Sequence, residues 1–226
     1  MPSFNLNAII IYMNIERVQD MLKEEVKKLI EKSRDNKDGI LFKNFTSNNP
    51  TWDQFIKHLD HEYHNPPQQI SSKPEEEKMI NGVCLRNNFY LSVRSPARSS
   101  YGNIFFPQVT DVLDFFDSIL GEPGFGVSSF INFVGKEQPI VIHPDRRDTL
   151  YWQCIGSTTW NVYQNDDDLS QFKSFVLNPG DTIFVPKGVS HTVITGEPRA
   201  AIAFSYNQDN YNEIKSIQDQ IKEKNG

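Results

Sequence analysis

Gly180-Asp181-Thr182-Ile183-Phe184-Val185-Pro186-Lys187-Gly188-Val189-Ser190-His191 reads as a strand, a Pro/Gly turn, and a histidine placed just beyond the turn. The turn reverses the chain, so His191 is carried across to a neighbouring strand. Working back from it, His143-Pro144-Asp145 sets a histidine and an acid at i and i+2, which on an extended strand point to one face. Pro144 faces the other way and cannot donate to a sheet ladder, so this stretch belongs at the beginning or edge of a strand. Taken alone, His143 is more simply a strand-end histidine bonded to a backbone carbonyl, and Asp145 a turn acid capping an N–H. Taken with His191, the three make the ligand set of a three-coordinate face on a non-haem Fe(II) centre, with positions open for co-substrate and oxygen. His143, Asp145 and His191 are therefore the expected metal ligands and the expected catalytic centre.

The surrounding sequence supports a β architecture. From Val127 onward strands are expected at 127–134, 139–143, 149–155, 158–163, 173–177, 181–185, 190–195 and 199–206. Eight short strands with turns between them fit a double-sheet jelly roll. Upstream, Ile15 to Ser33 has apolar residues at three-to-four spacing and predicts an amphipathic helix, followed by a strand over Ile40 to Phe45. Thr51 to Tyr63 and Val109 to Leu120 are further helices. The expected organisation is helical and strand additions over residues 1–124, a barrel core over 125–206, and a polar helix or tail over 207–226. Met13 is a possible initiator, which would make residues 1–12 a disordered extension. Residues 64–78 read as a solvated connection, or alternatively a lid, and 64–108 carry no motif.

Several residues then gain meaning from a resemblance. Gly180, Pro186, Gly188 and His191 fit the second motif of the cupin superfamily at every defined spacing, with Thr195 where the family usually has Asn. The stretch from His143 and Asp145 through Gln153 and Gly156 to Trp160 resembles the first half of the site in JmjC-like oxygenases. The resemblance covers roughly residues 125–206. It implies a mainly β fold, a double-stranded β-helix (the jelly-roll or cupin barrel) with N-terminal helical additions. It also implies an Fe(II)- and 2-oxoglutarate-dependent oxygenase, a dioxygenase hydroxylating an unknown substrate, with Fe(II) preferred over Zn(II) or Mn(II) on this ground alone.

The chain departs from that pattern in the co-substrate pocket. JmjC-like enzymes usually place Lys or Arg two residues after the glycine corresponding to Gly156, where this chain has Thr158. Arg199, opening the last strand, is the available replacement, because Arg is a bidentate, permanently charged clamp for a carboxylate. The alternative for Arg199 is an exposed residue following the Gly196-Glu197-Pro198 turn. Tyr151, Thr149 and Asn132 complete the expected co-substrate-binding set, and Trp152 and Trp160 read as core or rim. The missing cation at Thr158 keeps two rivals open: a metal-dependent cupin enzyme that does not use 2-oxoglutarate, and a non-catalytic binding module.

Composition narrows the remainder. Among 226 residues, 38% hydrophobic and 12% aromatic content with 16 Phe can build a packed core. A net charge of −6 argues against a general affinity for nucleic acid or anionic membrane, leaving a small molecule or a protein as the expected substrate. The longest early apolar run is far shorter than the ~20 residues of a membrane span. Cys84 and Cys154 read as reduced thiols, Cys154 buried, so the expected compartment is cytoplasmic. His58, His61 and His64 recur at spacing three but lack a completing ligand, and read as a solvated helix face. Arg94, Arg98, Arg146 and Arg147 are taken as scattered solvated arginines, and Asp166 to Asp168 as a hairpin tip.

Overall fold

On Asp148–Ile155, side chains alternate between two apolar masses, so the strand is buried along nearly its whole length. Leu150, Trp152 and Cys154 face a cluster built with the helices, whereas Tyr151 faces a second cluster that lies between two sheets. The computed structural model describes residues 9–12, 20–64, 78–80, 83–86, 90–95, 105–133, 142–165 and 168–206. Its strands are β1 (Ile9–Tyr12), β2 (Ile40–Lys43), β3 (Lys78–Ile80), β4 (Val83–Arg86), β5 (Tyr90–Ser95), β6 (Phe125–Asn132) and β7 (His143–Pro144). These are followed by β8 (Asp148–Ile155), β9 (Thr158–Tyr163), β10 (Phe172–Leu177), β11 (Thr182–Val185), β12 (Ser190–Ile194) and β13 (Arg199–Tyr206). Helices α1 (Asp20–Asn36), α2 (Trp52–His64) and α3 (Gln108–Leu120) complete the described elements.

Two sheets face each other. One runs β1-β2-β11-β8-β13-β6-β5-β4-β3 and the other β10-β9-β12-β7. Successive strands from β6 onward switch repeatedly between the two, the winding of a double-stranded β-helix. The switch from β8 to β9 is made at Gly156, whose φ is +67°. A Cβ there would lie 2.4 Å from the Pro198 carbonyl oxygen, so this corner admits only glycine.

The barrel interior is filled by Tyr151, Trp160, Val162, Phe175, Ile183, Val185, Val193, Ala201 and Ala203. The outer face of the larger sheet is covered by Val26 and Ile30 of α1, Phe55 of α2, and Val112, Phe115 and Phe116 of α3. Each fully buried Phe on that face contributes about 1.5–3 kcal/mol relative to exposure. Helix ends are closed locally. Thr51 and Gln54 exchange a capping box, with Thr51 N–H to Gln54 Oε1 at 2.9 Å and Gln54 N–H to Thr51 Oγ1 at 3.4 Å. Gly121, at φ +71°, stops α3 and donates its N–H to Asp117 O.

Several expectations are corrected. Residues 9–12 are not a disordered extension: Ile9–Tyr12 pairs in parallel with Ile40–Lys43. Residues 78–95, which carry no motif, supply β5, β4 and β3, which extend the sheet beyond β6. The strand begun at Ile40 ends at Lys43, because Asn44 turns the chain with φ +52°. The first helix runs on to Asn36 rather than stopping at Ser33. His58 is no member of a solvated face: it is 2% exposed, bonded through Nδ1 to Ser129, and packed between Phe105 and Phe106. Residues 65–77 of the lid or connection expected over 64–78, most of the strand at 139–143, and the tail after 206 lie outside the described residues. Among the described residues no helix is long and apolar enough to cross a membrane.

Candidate metal centre

β7 and β12 are antiparallel neighbours in the smaller sheet, and their register sets His191 directly opposite His143. Their rings lie 4.7 Å apart between centroids. Asp145 follows β7 and closes the triangle: its carboxylate is 3.9 Å from His143 Nε2 and 3.7 Å from His191 Nε2. One ligand atom from each of the three residues lies within 4.8 Å of the other two. Three donors on one face of a common ion, each bonded at about 2.0–2.2 Å, stand about 3.0–3.5 Å apart. The three therefore draw together by up to about 1.5 Å to bind an ion, a closure to which the half-exposed His143 and Asp145 side chains contribute.

Each donor is held from behind. His191 is buried, and its Nδ1 bonds to the Val189 carbonyl at 3.1 Å. That contact fixes Nδ1 as the protonated nitrogen and leaves a lone pair on Nε2, the atom facing Asp145. Burial pushes the His191 pKa down and so favours the neutral form a ligand needs, partly opposed by the negative charge of Asp145, which favours the protonated ring. Thr149 Oγ1 donates to Asp145 Oδ2 at 2.7 Å and orients the carboxylate.

The turn Pro186–Gly188 is tied to the same loop. Gly188 N–H donates to Asp145 O at 2.9 Å, and Lys187 N–H donates to Asp148 Oδ1 at 2.7 Å. The other oxygen of Asp148 receives Arg34, from Nε at 2.8 Å and from a terminal nitrogen at 2.6 Å. The turn reversing the chain toward His191 and the loop bearing Asp145 are thus locked to each other and to α1. The Asp148–Arg34 contact is not visible in the sequence, because its partners lie 114 residues apart.

The residues expected around the co-substrate gather in the barrel. Arg199 is buried, 1% exposed, and not an exposed turn residue. Its Nε donates to Asn132 Oδ1 at 3.0 Å and a terminal nitrogen donates to the Tyr151 hydroxyl. Thr158 is buried and gives its proton to Gln153 Oε1 at 2.9 Å, while Gln153 Nε2 donates to Ile155 O at 2.7 Å. Trp160, in sequence a core or rim residue, stacks on His191 with centroids 5.0 Å apart and planes 19° apart, and touches Tyr151 at 4.8 Å. A continuous row of rings therefore runs from the histidines through Trp160 and Tyr151 to Arg199. The signal for Trp160 is its alternation with Val162 toward the interior, but nothing in the sequence says that His191 lies against it.

Comparisons set this geometry among known proteins. Residues 111–214 match the family model of the JmjC domain. No curated protein sequence matches the chain. Escherichia coli ycfD superposes with a TM-score of 0.54 at 15% identity, over 88% of this chain and 57% of that one. Ribosomal oxygenase YcfD from Escherichia coli, in complex with cobalt and 2-oxoglutarate, superposes with a TM-score of 0.52 at 16% identity, over 84% of this chain and 54% of that one. A full-length Neurospora crassa protein, in complex with alpha-KG and 5-formyluracil, gives a TM-score of 0.51 at 15% identity, covering 90% of this chain and 86% of that one. The chain spans little more than half the length of the YcfD structures it matches, and at these identities the likeness shows the fold.

Proposed function

We propose, from the premise that this chain carries a JmjC domain on a cupin-type double-stranded β-helix, that it is an Fe(II)- and 2-oxoglutarate-dependent oxygenase. The observation that carries the reading is the convergence of His143, Asp145 and His191 within 4.8 Å. Two neutral imidazoles and a carboxylate suit Fe(II) and leave about three positions open, the number needed for a chelating oxo-acid and oxygen. The metal, when bound, supplies the redox chemistry by which 2-oxoglutarate is decarboxylated to succinate and CO2 as oxygen is inserted into a substrate C–H bond. The neighbours that hold cobalt or alpha-KG, YcfD and the Neurospora crassa protein, support the same cofactor set.

The protein's own part is positioning and shielding. His143, Asp145 and His191 hold the ion on one side of the barrel, and Thr149 keeps the carboxylate aimed. Arg199, fixed by Asn132 and Tyr151, receives the distal carboxylate of the oxo-acid, so that its keto-acid end is delivered toward the triad. The apolar interior formed by Val162, Val185, Val193 and Ala203 keeps water from the reacting end. The substrate is a small molecule or a protein, as the neighbours described as a ribosomal oxygenase and as a complex with 5-formyluracil suggest. A cytoplasmic setting accords with Cys154 as a free, buried thiol.

Anaerobic addition of Fe(II) and then 2-oxoglutarate should give a weak visible charge-transfer band, and aerobic incubation should release succinate. Iron-loaded protein with neither signal would overturn the proposal. A second reading is favoured by Thr158, whose proton is committed to Gln153 where the related enzymes carry a cation. On that reading the chain is a metal-dependent cupin enzyme without 2-oxoglutarate, and oxygen uptake without succinate release would establish it.

A further inference from the structure

Among the described side chains around the candidate site, one buried nitrogen has no hydrogen-bond partner. Thr149 gives its proton to Asp145, Thr158 to Gln153, Gln153 its amide to Ile155, and Arg199 donates to Asn132 and Tyr151. The indole N–H of Trp160 is buried and has no hydrogen-bond partner, although the residue is only 3% exposed. A buried donor without an acceptor is a standing cost in folding, and native proteins leave few of them. The other tryptophan indole buried in this fold is satisfied, since Trp152 Nε1 donates to Asn49 Oδ1 at 3.0 Å. The orphan sits where a ligand is expected. The Trp160 ring is stacked on His191 and abuts Tyr151, between the candidate metal ligands and the residue that receives Arg199.

We infer that Trp160 is a binding residue for the acidic co-substrate: its indole N–H donates to a carboxylate oxygen of a 2-oxo-dicarboxylate held between the triad and Arg199. The inference rests on the proposed oxygenase reading and deepens it by naming the neutral donor that accompanies the arginine. Thr158 stands two residues earlier on the same face of β9, and its own proton is already spent on Gln153. Trp160 is therefore the group on that strand able to meet an incoming anion. Trp is donor-only and rigid, so its N–H adds direction at little conformational cost.

The test uses the Zn(II)-loaded full chain, which is redox-inactive, with indole 15N labelling. The protein has three tryptophans, Trp52, Trp152 and Trp160, so three indole N–H signals are expected. Assignment follows from removing each in turn, with Trp52→Phe and Trp152→Phe sufficing if Trp160→Phe does not fold. As 2-oxoglutarate is added, the Trp160 proton should move downfield to a hydrogen-bonded position, while Trp52 and Trp152 stay near their starting shifts. Trp160→Phe, which keeps the stack on His191, should weaken 2-oxoglutarate binding by calorimetry about tenfold, or ~1.4 kcal/mol. Binding heat with an unmoved Trp160 signal would overturn the inference and leave the oxygenase reading standing. No binding heat at all would remove the co-substrate reading and the inference with it.

Discussion

Replacing Arg199 with lysine keeps a positive charge in the barrel and removes the planar fork. In the structure the guanidinium commits Nε to Asn132 Oδ1 and one terminal nitrogen to the Tyr151 hydroxyl, and its 1% exposure leaves no room to move outward. A lysine amine on the same strand position cannot serve Asn132, Tyr151 and a carboxylate together from one nitrogen with the same geometry. Losing one charge-assisted bond to the oxo-acid is worth about 1.5–3 kcal/mol, so the Kd for 2-oxoglutarate should rise roughly 10- to 150-fold. Leaving Asn132 Oδ1 or the Tyr151 oxygen without its donor should also lower folding stability by about 1–3 kcal/mol. Calorimetric titration of Zn(II)-loaded protein, run well below the melting temperature of the variant, separates the two effects. A folded Arg199→Lys protein that binds 2-oxoglutarate with wild-type affinity would refute the assignment of Arg199 as the anchor.

Thr149→Val deletes the 2.7 Å bond that aims the Asp145 carboxylate while keeping the side chain's volume, and metal affinity measured by chelator competition should fall about 10- to 100-fold. An unchanged affinity would show that Thr149 does not orient the ligand. Gly156→Ala forces a side chain onto φ +67° and sets its Cβ 2.4 Å from Pro198 O. Urea unfolding should show a loss of ~3 kcal/mol or more, with wild-type stability contradicting the corner as described. Burial pushes the Cys154 thiol well above its usual pKa, so at pH 8 it holds less thiolate than a free cysteine. Iodoacetamide should leave it unmodified in the folded protein and label it fully in urea, as read by peptide mass mapping; rapid labelling of the folded protein would deny its burial.

The parts of this molecule legible in sequence are those whose causes are local. The 158–163 strand can be placed with its observed ends because Trp160 and Val162 alternate between polar residues and Gly156 marks the corner before them. His191 can be expected on a strand beside His143 because a Pro/Gly turn and an i, i+2 pair are short-range signals. What stays hidden depends on partners distant in the chain. Arg199 looks equally like a surface residue, since Asn132 and Tyr151, which bury it, lie on β6 and β8. His58 looks solvated because Ser129 and the Phe105–Phe106 pair that enclose it come from other elements. The strands at 78–95 are short and sit toward one edge of the larger sheet, where pairing of β5 with β6, β4 with β5 and β3 with β4, rather than strong alternation, makes them strands.

Thr158 lies on β9 in the smaller sheet, beside β12 with His191, whereas Arg199 opens β13 in the larger sheet. Moving the positive group from β9 to β13 would seat the distal carboxylate against the opposite wall, with Tyr151 as the shared contact. On the proposed reading, Fe(II) with one carboxylate ligand would carry a net +1, a 2-oxo-dicarboxylate would bring −2, and Arg199 would return the sum to zero. Neutrality matters because the interior around these groups is apolar and an uncompensated charge there is costly. Thr158 can therefore be neutral without leaving the co-substrate's charge unmatched. On the proposed reading, the absence of a β9 cation would mark a relocated anchor, a reading that the buried position of Arg199 supports over the loss of 2-oxoglutarate use.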